Sequence, residues 1–323
     1  MDLSRWLPQE EESPEEIKES SQEVEIDEPK PMPTNGDLPG ACRVQSPSSI
    51  LTHKQCPRKY FYRYIERLPG PKSIHLIRGC VVHKVLEDVY DVDFSRVPAD
   101  GFFHSLKVVL QEMFRKEWYA SAKELGELDL SPEDLEHYFE ESQLMVDNFY
   151  HYVYERMRPL LPSMSPHEAW AKLMPERELK MQSPTHLVRG FIDVVQEELD
   201  GTLAILDYKT SKKLAITPEY RLQLGIYAMM QEEHNLPADE VGVIFLKHGQ
   251  EIRLPVTPEL VSDAKQACLE VQMNTKSTSI SDYPMRPSPL CKWRTGQCEY
   301  YDLCFTGQSV ADYREKMTFQ GRK

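Results

Sequence analysis

The sequence predicts an α/β protein in which helices flank a central mixed β-sheet, with a helical block set ahead of the strands. Three observations predict it. Between residues 102 and 158, apolar side chains recur at helical spacing, with Phe103, Leu106, Val109, Leu110 and Met113 sharing one face. After Pro166 the pattern changes to short strand-like runs, KLMPERELKM, THLVRGFIDVVQEE and TLAILDYKT. Beyond them, further strand-like runs alternate with helical ones, and strands set between helices imply a sheet covered by helices.

The elements follow in order. Residues 1–45 are expected to be a disordered acidic tail: residues 1–40 hold twelve acids and three bases and few large apolar side chains, too few to offset the entropy of ordering. The ordered part, expected over 46–310, opens at SPSSILTHKQCPRKYFYRYIERL, where Ser48 or Ser49 is placed to cap a helix. A second helix follows around GCVVHKVLEDVYDV. Two long helices are predicted over 102–125 and 132–158, the second announced by Ser131 as cap and Pro132 in the first turn. Three strands come next, the last two joined by a turn at Asp200-Gly201. A helix near 220–233, strands at 241–248 and 251–256, and a helix over 258–273 complete the core. Residues 311–323 read as a C-terminal tail.

With 323 residues the chain can bury a substantial core. No apolar run approaches the roughly 18 to 20 residues needed to span a bilayer, and the N-terminus is acidic rather than basic then apolar. A soluble, cytoplasmic or otherwise intracellular protein with no membrane partner is expected. The net charge is −14, of which residues 1–40 supply −9, leaving −5 for the remainder. Between His53 and Arg78, seven Lys or Arg face one acid, Glu66, so the acidic total does not exclude a nucleic-acid groove. Seven cysteines, three of them crowded near the C-terminus, fit a metal or cluster site better than a disulfide framework.

The stretch LAILDYKTSKK, Leu203 to Lys213, carries the chemistry. Strand alternation puts Asp207 and Lys209 on one side and Tyr208 on the other. Asp-x-Lys by itself also describes an ordinary surface ion pair. Asp193, on the preceding strand, becomes a neighbour of Asp207 through the hairpin, and two adjacent carboxylates call for a divalent cation between them. Lys209 beside such an ion is placed to orient or deprotonate a water, or to stabilise charge on a phosphorane-like transition state. His83 lies four residues before Glu87, on the same helix face.

These residues fall into the motifs Gly79-x-x-x-His83-x-x-Leu86-Glu87, Gly190-x-x-Asp193, Asp207-Tyr208-Lys209-Thr210 and Gln223-x-x-x-Tyr227. Their order resembles that of the RecB-type nucleases of the PD-(D/E)XK superfamily, across roughly residues 46–305. The resemblance implies a restriction-endonuclease-like core with a helical insertion at about 95–165. It implies that His83, Asp193 and Asp207, with the Tyr208 backbone carbonyl, bind Mg2+ or Mn2+, and that Asp193, Asp207 and Lys209 are catalytic. Gln223 and Tyr227 would position the metal-bearing strand and the nucleic-acid backbone, core packing beside Leu224 and Ile226 being the other reading of Tyr227. Glu178 answers to a further acid of relatives. The implied activity is hydrolysis of phosphodiester bonds in DNA, as an exonuclease on single-stranded ends in DNA repair, recombination or CRISPR-type processing. The alternative is a catalytically weak DNA-binding scaffold on the same fold. No GxxxxGK[ST] loop is present, so any unwinding would fall to a partner such as a helicase.

The C-terminal stretch LCKWRTGQCEYYDLC holds Cys291, Cys298 and Cys304, and QCPRKYFYRY holds Cys56. Four thiolates can bind a zinc ion or an iron-sulfur cluster, and spacing does not decide between them. The set is similar to that of CRISPR-associated RecB-like exonucleases and the AddB nuclease domain, which implies a 4Fe-4S cluster held by one N-terminal and three C-terminal cysteines. It departs from them between Cys291 and Cys298, where six residues intervene instead of two. Lys54, Arg58, Lys59, Arg63 and Arg67 are interleaved with Tyr60, Phe61, Tyr62 and Tyr64. Such a segment suits stacked bases and tracked phosphates of single-stranded DNA, or equally a helix that buries its rings.

Overall fold

The computed structural model describes residues 43–294 and 296–320. Helix α1 spans Pro47–Gln55, and Ser46 is its cap: the Ser46 hydroxyl accepts the Ser49 N–H at 3.1 Å while the Ser49 hydroxyl accepts the Ser46 N–H at 2.8 Å. The cap lies ahead of the expected Ser48 or Ser49 because Pro47, which has no N–H to leave unpaired, fills the first helical position. An extended Cys56 breaks the chain before α2, Pro57–Tyr60, which runs into a π-helical turn at Phe61–Ile65. Helix α3 covers Ile74–Asp88. Helices α4 (Phe102–Ala120), α5 (Ala122–Gly126), α6 (Pro132–Met157) and α7 (Pro166–Lys172) follow. Ser131 caps α6 by accepting the Asp134 N–H at 3.1 Å, as the Ser-Pro pair predicts.

Strands β1 (Glu176–Ser183), β2 (Val188–Glu197) and β3 (Leu203–Lys209) form an antiparallel meander. Gly201 turns the β2–β3 hairpin at φ 85°, a conformation that suits glycine, and the Asp200 carboxylate accepts the Thr202 N–H at 3.0 Å. Helix α8 (Pro218–Glu233) crosses over to β4 (Glu240–Phe245), which lies parallel to β3, and β5 (Gln250–Pro255) returns antiparallel. Helix α9 occupies Pro258–Asn274. The five strands keep sequence order, so the sheet is mixed and flanked by helices, as the sequence predicts.

Each sheet face has its own core. Leu86, Leu106, Phe114 and Phe149 from α3, α4 and α6 pack on Val194, Leu206, Tyr208 and Ile244. Leu224, Met229, Leu260 and Val271 from α8 and α9 pack on Ile192, Val195, Ile205 and Val243. Each such side chain contributes about 1.5–3 kcal/mol on leaving water. Ile192 and Val194, two residues apart, therefore face opposite cores, which plain strand alternation forbids. The break falls at Asp193 and, across the ladder, at Glu178, whose φ is 46°.

The C-terminal segment adds a small hairpin of β6 (Lys292–Trp293) and β7 (Gly296–Gln297), then α10 (Tyr301–Phe305) and α11 (Val310–Gln320). It closes on the start of the chain. Tyr60, Phe61 and Tyr62 are buried with Tyr283, Tyr300 and Tyr313 in a third, aromatic cluster. Residues 311–320, expected to form a tail, are helical: Tyr313 is buried and its hydroxyl donates to the Pro69 carbonyl at 2.9 Å. At the other end, Gln45 donates its N–H to the Leu187 carbonyl at 2.8 Å and is buried, so ordered chain begins ahead of residue 46. The rest of the expected acidic tail, residues 1–42, lies outside the described residues. Among the described residues, no helix is long and apolar enough to cross a membrane.

Candidate active site

Where β2 and β3 stop pairing, after Val194 and Leu206, the Tyr208 N–H would be left without a strand carbonyl. The Asp193 carboxylate takes that place, its Oδ2 accepting the Tyr208 N–H at 3.0 Å. The same Oδ2 lies 3.5 Å from His83 Nδ1 on α3. Asp207, buried at 2% exposure, sits beside it, and Lys209 Nζ meets Asp207 Oδ2 at 2.5 Å. That contact is a close charge pair, and Oδ2 is buried with no other donor against it.

Gln223 on α8 holds the group together. Its amide donates to Asp207 Oδ1 at 3.0 Å and to Tyr227 Oη at 2.9 Å, while its carbonyl accepts from Lys209 Nζ at 3.1 Å. Gln223 and Tyr227 stand one helical turn apart, which brings both to the sheet edge. The Lys209 ammonium also lies 5.2 Å from the Tyr220 ring centroid. Gly190 explains its own place: a Cβ there would stand 3.3 Å from Pro47 Cδ and 3.4 Å from Tyr227 Cε1, so glycine lets β2 close on α1 and on the tyrosine. The Tyr227 ring is buried, as the core-packing reading expects, and its hydroxyl accepts from Gln223.

The electrostatics follow from crowding. Burial, and then the neighbouring Asp207 carboxylate, push Asp193 well above the usual carboxylate range, against the opposing Tyr208 N–H. Burial likewise holds His83 below its ordinary value, and Asp207 only partly offsets it, which favours the neutral imidazole near pH 7. Burial disfavours the Lys209 ammonium, yet Asp207 and then Asp193 more than restore it, so the lysine is a firm cation. Glu178 is raised by burial and by the nearby charges of Glu87 and Asp207. Glu87 and Glu178 thus belong to the same electrostatic neighbourhood. The position of Glu87 one turn after His83 was the available sequence signal for it, whereas the left-handed backbone at Glu178 has none.

Two carboxylates, a third and fourth nearby and a neutral histidine make an oxygen-rich, electron-donating set suited to a hard divalent cation. Among the described residues, no three His, Cys, Asp or Glu side chains are close enough to enclose a metal ion as they stand, and Lys209 is the cation against Asp207. The donor types fit such an ion, which at Asp207 Oδ2 would share the oxygen with the Lys209 ammonium.

Residues 45–305 match the family model of the PD-(D/E)XK nuclease superfamily. The chain belongs to the PD-(D/E)XK nuclease superfamily. Nucleases of this superfamily generally use divalent metals such as Mg2+, and membership implies a DNA substrate. Among solved structures, one from Eubacterium rectale named "putative exonuclease" is similar at 10% identity with a TM-score of 0.43, covering 83% of this chain and 89% of that one. No curated protein matches the chain.

The remaining predicted positions lie elsewhere. Cys56, Cys291, Cys298 and Cys304 all line one open cavity between α1 and the C-terminal segment. All four are free thiols. Burial pushes Cys298 up to about 11, and burial with the neighbouring Cys56 does the same to Cys304. Arg58 donates to the Tyr283 carbonyl at 2.7 Å, and Lys59 pairs with Glu299 at 3.2 Å, so both tie the first helices to the C-terminal segment. Tyr60, Phe61 and Tyr62 are buried and present no ring for a base to stack on. Arg63 remains exposed.

Proposed function

We propose that this superfamily member is a RecB-type, metal-dependent exodeoxyribonuclease that prefers single-stranded ends, in DNA repair, recombination or CRISPR-type processing. The observation that carries this reading is the linked set Asp193, Asp207, Lys209 and Gln223 with a neutral His83 beside it. His83, Asp193, Asp207 and the Tyr208 carbonyl would hold Mg2+ or Mn2+, which supplies an acidified water and a polarised phosphate. Lys209, held protonated, donates to the attacking water or to a phosphate oxygen as negative charge develops there. Gln223 keeps the lysine and Asp207 in register through the change in charge. The nuclease domain is proposed to cover 46–310 with a helical insertion at about 95–165. Any unwinding of duplex falls to a helicase or other DNA-processing partner.

Cys56, Cys291, Cys298 and Cys304 are proposed to hold a 4Fe-4S cluster rather than zinc. What supports the cluster is the resemblance of these four cysteines to those of the iron-sulfur RecB-like nucleases, together with their place around one cavity. Such a cluster would be structural, joining α1 to the chain end where Arg58 and Lys59 already make polar links. Protein purified without oxygen should be brown and contain iron; colourless, zinc-loaded protein contradicts this part.

The test of substrate preference is digestion of end-labelled single- and double-stranded DNA with Mg2+ or Mn2+. Faster loss of the single strand from its ends is expected. Internal cuts, or equal rates on both substrates, contradict the preference.

A further inference from the structure

The β6–β7 hairpin carries an aromatic side chain that no core claims. Trp293 is 50% exposed, while Trp118 and Trp170 are buried. One face of its indole lies on the strand partner Gly296, where a Cβ would stand 3.0 Å from Cε2, Cζ2 and Nε1. Glycine at 296 therefore lets the ring lie flat on the hairpin, fixed in orientation with its other face outward. Lys292 and Arg294 on either side are exposed, and Lys292 Nζ sits 5.2 Å from the Tyr301 ring centroid. From Met285 to Gln297 there are three bases, Arg286, Lys292 and Arg294, and no acid, in a chain of net charge −14.

An exposed aromatic ring with exposed cations next to it in the chain suits single-stranded nucleic acid, in which flat bases alternate with phosphates. A neutral apolar partner would not call for the cations, and a basic one would be repelled by them. We propose that the β6–β7 hairpin binds the single-stranded substrate outside the catalytic site, with Trp293 stacking on one base and Lys292 and Arg294 contacting the adjoining phosphates. The proposal rests on the nuclease reading above. It also relocates the stacking role from the Tyr60–Tyr64 segment, whose rings are largely buried beneath this same C-terminal region.

The test uses the full chain with Asp207→Asn to prevent cleavage and a fluorescent 12-nucleotide oligo(dT). Trp293→Ala should weaken binding by roughly 10- to 100-fold, the range of one lost base stack, and Trp293→Phe should recover most of it. The Lys292→Ala, Arg294→Ala pair should lower the slope of log affinity against log salt by about 1.4, two contacts at about 0.7 each on a single strand. An oligonucleotide carrying 5-iodouracil should crosslink at Trp293. Unchanged affinity in Trp293→Ala, with no crosslink there, overturns the proposal while the parent's own binding keeps the nuclease reading intact. If the parent chain neither binds nor cleaves single strands, the nuclease reading fails and this one with it.

Discussion

Replacing Gln223 by Ala would strand three groups together: the Lys209 ammonium, Asp207 Oδ1 and Tyr227 Oη each lose a partner. Unpaired buried polar groups cost about 1–3 kcal/mol each. If that cost falls on the transition state, Gln223→Ala should lower kcat by roughly 10- to 100-fold, since about 1.4 kcal/mol is tenfold, with little change in KM. Steady-state kinetics on a single-stranded oligonucleotide check it; an unchanged kcat would mean that Asp207 and Lys209 hold their places unaided. Much of this site is legible in the sequence, because period two joins Asp207 to Lys209 and a helical turn joins Gln223 to Tyr227. The rest is not. Asp193 reaches the Tyr208 N–H only because the β2–β3 ladder ends there, and no residue pattern announces the left-handed Glu178 opposite.

At the scale of elements, β4 sits between β3 and β5 with no room to spare. A Cβ on Gly242 would stand 2.9 Å from the Ile252 carbonyl oxygen and 3.0 Å from Leu206 Cδ2. Backbone on one side cannot retreat cheaply, so Gly242→Ala should destabilise the fold by about 1–3 kcal/mol, the usual cost of overpacking. A lower urea midpoint at unchanged slope is the expected result, and an unchanged midpoint contradicts the packing described. The strands and long helices were readable because their burial is periodic, and the Ser131-Pro132 start because its chemistry is local. Helix α11 was not, since its DYREK stretch is polar and Tyr313 is its one buried residue described in the core. The burial of Tyr60, Phe61 and Tyr62 was one of two readings the sequence left open, because the surface that covers them comes from more than 200 residues later in the chain.

Across the whole molecule, Glu198 couples the helical block to the sheet. Arg156 of α6 grips it with bonds of 2.7 and 3.1 Å, and Arg253 of β5 donates to it at 2.6 Å. Burial alone would raise its pKa, but the Arg156 and Arg253 guanidiniums outweigh burial and hold it below the ordinary carboxylate range. A group depressed in the folded state stabilises above its unfolded pKa of about 4.3 and loses that contribution as pH falls through the folded value. Stability should therefore drop as pH falls below about 4.3, and Glu198→Gln should show a shallower drop. Chemical denaturation across that range reads it, and parallel curves for the two proteins would remove Glu198 from the account.

The most direct test of the central claim is hydrolysis of end-labelled single-stranded DNA by the parent and by Lys209→Ala, each confirmed as folded by circular dichroism. The parent should degrade the strand with Mg2+ or Mn2+ and cease on chelation, and loss of the lysine should slow it by on the order of 100-fold or more. Equal rates in the two proteins would contradict the site assigned here.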